Sequence, residues 1–311
     1  MHHCPLKTSF FLIFFISSVR KERGILFKYL LKNYSFKEEF DVAIAYAGPM
    51  DFISFFVLEK VKARRKIQWI HFDVTKIGFS RNFAIKFYKK FDNVFVVSEE
   101  GKNKLSQILP SIKVKIEKFI NVTDFRQIKR MADEGENFKD YFKGIRILTV
   151  GRLSKEKGQD LTIPVLAKLK QEGFNIRWYC IGEGSSRIEY EEMIKNYGVE
   201  NDYILLGSNP NPYPFMKLCD IYVQPSRHEG YCITLAEAKC FNTPIVSTNF
   251  TGANEQLVHG KTGLIVNIDE NEVYYAIKKL LQKDNLRNSF SQNLSRENSV
   301  TNIKLEEIFN I

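Results

Sequence analysis

Asp220-Ile221-Tyr222-Val223-Gln224-Pro225-Ser226-Arg227-His228-Glu229-Gly230-Tyr231-Cys232-Ile233-Thr234-Leu235-Ala236-Glu237 is the stretch on which the fold turns. Its first five residues are largely apolar and read as a short buried strand. Residues 233–241 read as a helix, joined to that strand by a loop with one glycine. Glu229 lies on the loop and Glu237 in the first turn of the helix. Between them are Gly230 and the backbone amides of Tyr231, Cys232, Ile233 and Thr234, at a helix N-terminus where phosphate binds readily. Two carboxylates flanking an anion site suit a molecule with hydroxyls at both ends and phosphates in the middle, as in a nucleotide-sugar.

The same strand-loop-helix rhythm extends in both directions. Downstream of residue 145 the predicted strands are 145–150, 176–181, 203–206, 221–224, 244–247 and 264–266, with helices near 158–172, 186–198, 234–241 and 271–283. Short apolar runs alternating with longer amphipathic segments indicate an α/β chain with a parallel sheet, and six strands complete a doubly wound domain. Upstream, 41–46, 67–71 and 94–98 read as strands, with helices at 51–62 and 80–90. Residues 126–144 are polar and read as a linker. This divides the chain into an N-terminal α/β domain at 1–125, a nucleotide-binding domain at 145–290 and a helical tail at 291–311.

The chain has 311 residues, enough for two domains, and a net charge of +10 that favours anionic partners. Five cysteines and five histidines occur without metal-ligand spacing, so no metal site is expected, and the cysteine pattern suits a reducing compartment. The apolar run 10–16 is too short for a membrane span of roughly 20 residues. A buried or interfacial helix, a membrane-surface anchor and an export signal all remain open for it. Basic residues cluster at Lys60, Lys62, Arg64, Arg65 and Lys66, and again at Lys86, Lys89 and Lys90 beside Phe87, Tyr88 and Phe91. A basic-aromatic helix face over 80–91 would suit an anionic membrane surface. No nucleic-acid motif accompanies the charge. Asn121-Val122-Thr123 fits a glycosylation sequon and is read as chance.

A second loop carries positive charge. In Val150-Gly151-Arg152-Leu153-Ser154-Lys155-Glu156-Lys157-Gly158 a strand ends, Gly151 turns the chain, and Arg152 and Lys157 follow on the loop. Loops at the carboxyl ends of parallel strands share one sheet edge, so both residues can converge on a diphosphate bound near 230–234. Gly182, at another strand end, suits close backbone approach to a ligand.

Taken in order, Val150-Gly151-Arg152-Leu153, Lys157-Gly158, Gly182-Glu183-Gly184, Asn211-Pro212-Tyr213-Pro214-Phe215, Gln224-Pro225-Ser226-Arg227-His228-Glu229-Gly230, Glu237-Ala238, Pro244-Ile245-Val246, Thr251-Gly252-Ala253-Asn254-Glu255 and Gly260-Lys261-Thr262-Gly263-Leu264-Ile265-Val266 resemble the nucleotide-binding domain of the GT-B retaining glycosyltransferases of family four. The variant resembles bacterial enzymes of capsule, exopolysaccharide or lipopolysaccharide assembly. The resemblance implies a GT-B fold with two Rossmann-like doubly wound domains facing a cleft. It also implies a cytoplasmic or peripheral inner-membrane location, a UDP- or GDP-sugar donor without a further cofactor, and a glycan or lipid-linked glycan acceptor.

By the same resemblance, Arg152 and Lys157 neutralise the leaving diphosphate, Glu229 holds hydroxyls of the donor sugar and Glu237 the ribose. Amides around Tyr231 to Thr234 complete the phosphate cradle. His71, in Trp69-Ile70-His71-Phe72-Asp73, matches a strand end carrying a site histidine, with Asp73 the weaker candidate; His228 reads as packing or surface. Cys232 departs from the smaller or different residue common there. The family's opening strand and Gly-rich loop have no counterpart in residues 1–40, so the N-terminal domain is expected to be incomplete. A nucleotide-sugar-binding subunit without turnover is therefore the competing reading, and an epimerase of the same fold a third. No Asp-x-Asp metal clamp occurs in the chain, and fixed cationic groups are expected to meet the charge of the leaving diphosphate.

Overall fold

The computed structural model describes the backbone of residues 23–34, 36–48, 51–121 and 123–309. The apolar run 10–16 and Cys4 lie outside the described residues, as does Val122 of the sequon. The chain divides into two compact units, Met1–Asn121 and Val122–Ile311.

The first unit carries strands β1 (Glu39–Gly48), β2 (Lys62–Ile70), β3 (Asn93–Val96) and β4 (Ile116–Lys118), all parallel and hydrogen-bonded in the order β1-β2-β3-β4. Its helices are α1 (Arg23–Leu30), α2 (Asp51–Lys60), α3 (Arg81–Phe87) and α4 (Glu99–Ile108). Every crossover steps the same way, and right-handed crossovers stepping one way put their helices on one face. Ala45, Ile70, Val94, Val96 and Ile116 accordingly share one core with Phe55, Phe83, Phe87 and Leu105. The opposite face of β1 is open: Phe40, Val42, Ile44 and Tyr46, two residues apart on one side of the strand, are each between 40% and 56% exposed. Beside them Trp69, Phe95 and Phe119 cluster, with Trp69 and Phe119 ring centroids 4.8 Å apart.

The second unit carries β5 (Ile145–Val150), β6 (Ile176–Ile181), β7 (Tyr203–Gly207), β8 (Ile221–Gln224), β9 (Ile245–Thr248) and β10 (Leu264–Val266). Its helices are α5 (Phe125–Ala132), α6 (Thr162–Gln171), α7 (Arg187–Asn196), α8 (Tyr213–Leu218), α9 (Ile233–Lys239), α10 (Ala253–Gln256), α11 (Glu270–Gln282) and α12 (Asp284–Phe309). The parallel sheet has the order β10-β9-β8-β5-β6-β7. Counted from the first strand of the unit this is 3-2-1-4-5-6 read from the β7 edge, the doubly wound order of dinucleotide-binding folds. The chain winds outward from β5 to β7, then returns to β8 and winds the other way. Helices therefore cover both faces. One core joins Ile147, Trp178, Ile221 and Val246 to α6, α7 and α11; the other joins Leu148, Tyr179, Tyr222 and Ile245 to α8, α9 and α10.

Several sequence expectations need correction. Residues 126–144 are no linker. Asp124 caps α5 by accepting from the amides of Arg126 and Gln127, and Ile128 and Ala132 are buried one turn apart on a helix whose other residues are mostly polar. Two buried residues among charges give no composition shift, so the helix is hidden in the sequence. The Asn211 side chain donates to the Met131 and Glu134 carbonyls, fastening α5 to the loop before α8. Farther along, burial pushes the Asp140 carboxyl up, but hydrogen bonds from Tyr179, Arg146 and Arg177 outweigh it and hold the group at about 2.

The tail is likewise not separate. α12 begins at Asp284, and Phe290 is buried in the main core. The basic-aromatic face over 80–91 does not form either: Phe87, Tyr88 and Phe91 are core residues, each 6% exposed or less, while Lys86 and Lys89 face outward. The cluster 62–66 lies on strand β2, where Arg65 bonds Asn93 and Lys66 donates to the Leu58 carbonyl. No helix of the described residues is long and apolar enough to cross a membrane.

Candidate functional site

A doubly wound sheet opens a crevice where the strand order reverses, outside the carboxyl ends of the two strands on either side. Here those strands are β5 and β8. The loop after β5 is 151–158 and the loop after β8 is 225–232, so topology alone brings the two candidate loops together.

The contact between them is close and specific. Gly158 has φ +75° and a Cβ there would sit 2.0 Å from the Pro225 carbonyl oxygen, so only glycine fits. Arg227 clamps the loops with a bidentate pair to Asp160, at 2.8 and 2.6 Å, and its amide donates to the Glu156 carbonyl. The Gln159 side chain turns back to hold the Gly151 and Arg152 carbonyls. Gly182 (φ +144°) stacks its backbone directly on Gly151, where a Cβ would meet the Gly151 oxygen at 2.1 Å.

Within this frame Lys157 Nζ lies 2.6 Å from Glu229 Oε1, with both side chains largely withdrawn from solvent. The same carboxylate oxygen accepts from Ser226 Oγ at 2.8 Å. Ser226 in turn accepts from Gln224, whose carbonyl accepts from Tyr222 and Thr234 hydroxyls. A buried polar network thus runs from the strand end to Glu229 and to the start of α9. Such networks fix one geometry when every member is satisfied.

Structure separates the remaining candidates. Arg152 is exposed and makes no side-chain hydrogen bond or ion pair among the described residues, so it is available to an incoming anion. Helix α9 begins at Ile233, with Cys232 before it in the left-handed region at φ 63°. That conformation is uncommon for any residue but glycine and asparagine and is a mark of strained functional turns. The Gln256 side chain donates to the Tyr231 and Cys232 carbonyls, holding the turn from behind, while Gly230 is buried beneath it. The Cys232 thiol is buried, and burial pushes it above its ordinary value and keeps it protonated.

Glu237 is the fifth residue of α9 rather than in its first turn. A favourable charge at the positive helix end therefore does not account for it, since that effect fades within one turn. Burial pushes its carboxyl up, opposed by a hydrogen bond from Tyr213, whose hydroxyl donates to Oε1 at 2.9 Å.

In the first unit, His71 follows β2 with its Nε2 buried and without a hydrogen-bond partner among the described residues. Its ring packs on Tyr46, centroids 4.3 Å apart, and parallel to Trp69. Burial holds it below the ordinary histidine value, so it is neutral near pH 7. Asp73 has a structural role: fully buried, it accepts from the Thr75 amide and hydroxyl and pairs with Lys104 at 2.7 Å. His228 lies 3.8 Å from Glu156, at the loop junction. Sequence reading missed Ser226, Gln224, Gln256 and Tyr213 as supporting residues. Gln224-Pro225-Ser226 and Asn211-Pro212-Tyr213 were visible as motifs, but their partners are set only by folding.

Residues 134–296, about half of the chain, match the family described as glycosyl transferases group 1. The chain is a member of that family. A Campylobacter jejuni N-acetylgalactosamine-N,N'-diacetylbacillosaminyl-diphospho-undecaprenol 4-alpha-N-acetylgalactosaminyltransferase is 32% identical over 65% of this chain and 54% of its own length. The Staphylococcus aureus capsular polysaccharide biosynthesis glycosyltransferase CapM is 28% identical over 65% of this chain and 55% of its own. The chain thus spans about half the length of the curated relatives it matches. Among solved structures, Anabaena HepE in complex with UDP and glucose superimposes with a TM-score of 0.67 at 19% identity, over 84% of this chain and 74% of that one. Staphylococcus aureus TarM gives 0.68 at 22% identity, over 92% of this chain and 58% of that one. These likenesses establish the GT-B glycosyltransferase fold class.

Proposed function

We propose that this chain transfers a sugar from a nucleotide-sugar to a glycan or lipid-linked glycan, with retention at the anomeric carbon and without a metal, in the synthesis of a bacterial surface polysaccharide. The observation that carries the reading is the Lys157–Glu229 pair, 2.6 Å apart in the crevice between β5 and β8. In transfer, the bond from the anomeric carbon to the diphosphate oxygen breaks and negative charge develops on the leaving group. Lys157 and exposed Arg152 are the cations at hand for it, Arg as a planar fork and Lys as a mobile point charge. The turn from Gly230 to Thr234 supplies backbone donors. A diphosphate that draws Lys157 away leaves Glu229, still held by Ser226, to accept hydrogen bonds from the donor sugar. Glu237 takes the ribose.

Metal independence rests on these cations, and retention on the family's character. The relatives' named roles in undecaprenol-linked and capsular glycan synthesis support the acceptor class. Work at the cytoplasmic face of a membrane is part of the same proposal, supported by the lipid-linked acceptor in the name of the Campylobacter jejuni relative.

The test is release of nucleoside diphosphate from UDP- and GDP-sugars by the purified chain with lipid-linked acceptors. Glu229→Ala is expected to lower turnover at least about a hundredfold, as for loss of a transition-state contact, while chelator leaves it unchanged. Saturable nucleotide binding with no hydrolysis or transfer across a broad acceptor panel selects the binding-subunit reading instead. Loss of activity in chelator that added metal restores sinks the metal-free mechanism.

A further inference from the structure

The segment Asn211-Pro212-Tyr213-Pro214-Phe215 plays no part in the proposed chemistry, yet it is built with care. Asn209 accepts from the Asn211 amide at 2.8 Å, and the Asn211 side chain donates to two carbonyls at the end of α5. Pro212 and Pro214 fix the backbone angle at the start of α8, where prolines fit without losing a helical bond. Phe215 is buried in the second core and packs edge-on against Phe138 at 5.0 Å. Every residue but one is thereby occupied with holding the segment in place. The remaining one, Tyr213, reaches across to α9 and donates to Glu237 Oε1 at 2.9 Å.

We propose that Tyr213 is a positioning residue for the nucleotide's ribose: it fixes the Glu237 carboxylate so that Oε2 is aimed to accept from the ribose hydroxyls. The inference rests on the proposed nucleotide site and deepens it. A Glu side chain has three rotatable bonds and wanders when only its own helix restrains it. Tying one oxygen to a phenol on a separately anchored helix removes that freedom before the ligand arrives, which is how preorganisation raises affinity. Oε2 accepts no hydrogen bond among the described residues. The phenol stays a donor, because burial and the neighbouring carboxylate both push its ionisation far above neutral pH.

The experiment is a cycle in which Tyr213→Phe on the protein is combined with removal of the hydroxyls on the ligand. Binding of UDP and GDP, and of their 2′,3′-dideoxy forms, is measured by calorimetry on the unaltered chain and on Tyr213→Phe, with the melting temperature of each. The expected result is a loss of about tenfold in affinity for the ribonucleotide, the scale of one hydrogen bond to a charged group. For the dideoxy form the loss is under about twofold. In turnover the same variant raises KM for the donor and leaves kcat near its original value. Equal losses on ribo and dideoxy nucleotides, or an unchanged ribonucleotide affinity, overturn the role of Tyr213. If the unaltered chain binds neither nucleotide, the site reading beneath it falls as well. Should Tyr213→Phe melt early, binding is measured well below its melting temperature, and the ratio of ribo to dideoxy affinity within the variant, which does not depend on the folded fraction, decides: a ratio equal to that of the unaltered chain overturns the role of Tyr213.

Discussion

The two sheets of this protein are built from the same unit, a parallel strand followed by a crossover helix, but they are wound differently. In the first unit the order β1-β2-β3-β4 never reverses, so the helices crowd one face and the other shows Phe40, Val42, Ile44 and Tyr46 to solvent. In the second the order reverses at β5, so both faces are covered and a crevice opens between β5 and β8. One reversal of direction thus produces two things at once: a closed core and a place for loops to converge. The candidate nucleotide site lies wholly in the sheet that reverses, and its glycines, Gly158 and Gly182, are where backbone must pass backbone.

The chain's two tryptophans measure this difference directly, because one lies in each sheet. Trp178 in β6 is fully buried, its Nε1 donating to Thr149 Oγ1 at 3.1 Å. Trp69 in β2 stands on the half-open face, its Nε1 without a hydrogen-bond partner among the described residues. Trp178→Ala is expected to cost about 3–5 kcal/mol, the range for a large buried aromatic; Trp69→Ala, which empties no closed core, is expected to cost about 1–2 kcal/mol. Denaturant unfolding followed by circular dichroism checks both. Equal costs would mean that the first sheet is as well enclosed as the second.

Next in size is the crossing of the two site loops. Gly158→Ala forces a side chain into a left-handed position and against the Pro225 carbonyl. About 3 kcal/mol of stability should be lost, the sum of a strained backbone and overpacking, and nucleotide affinity should fall with it. In contrast Gly173→Ala, also at positive φ (+85°) but with nothing within 4 Å of the added carbon, carries the backbone strain alone. A thermal melt of the pair separates the two effects. Similar losses would show that the loops do not meet as described.

The extent to which sequence reveals all this follows the same division. The inner strands of the second unit are buried on both faces and read as largely apolar runs, and its edge strands are short apolar runs too. Their expected spans, such as 145–150, 176–181 and 264–266, therefore coincide with β5, β6 and β10. In the first unit β2 begins at Lys62, five residues before the expected 67, because Lys62-Ala63-Arg64-Arg65-Lys66 is charged where the strand is exposed. Strand β4, only three residues long, and the polar helix α4 give no apolar period at all. Glu229, Lys157 and Glu237 were legible because they sit on loops and a helix whose strands were legible. Tyr213 was not, since its bond to Glu237 spans 24 residues and exists only once α8 and α9 pack side by side.

Charge in the covered sheet gives a smaller, pH-dependent effect. Burial raises the Glu237 carboxyl above its ordinary value, and the groups facing it are Tyr213 on α8, Tyr222 on β8 and Cys240 at the end of its own helix. A raised acid binds its proton more tightly in the folded chain than in the unfolded one. Acidification through the folded pKa therefore adds stability while it removes the acceptor proposed for the ribose. Nucleotide affinity should fall on the acid side of neutrality, ahead of the ordinary carboxylate range, by up to about tenfold per pH unit. Glu237→Gln should flatten that limb. A wild-type acid limb that the substitution leaves unmoved would assign it to another group.

The smallest effect is the most direct test of the open face. Valine and threonine have the same shape and both favour strands, but a core rejects the hydroxyl. Val223 on β8 is 1% exposed within the main core, and Val42 on β1 is 47% exposed. Val223→Thr should cost about 1–3 kcal/mol, the scale of a buried hydroxyl with no assured partner. Val42→Thr should lie within about 0.5 kcal/mol of the starting chain, as for surface positions generally. The same change then reads out cover: a cost at Val42 approaching that at Val223 would mean that the face formed by Phe40, Val42, Ile44 and Tyr46 is enclosed in the folded protein, and the contrast between the two windings would not hold.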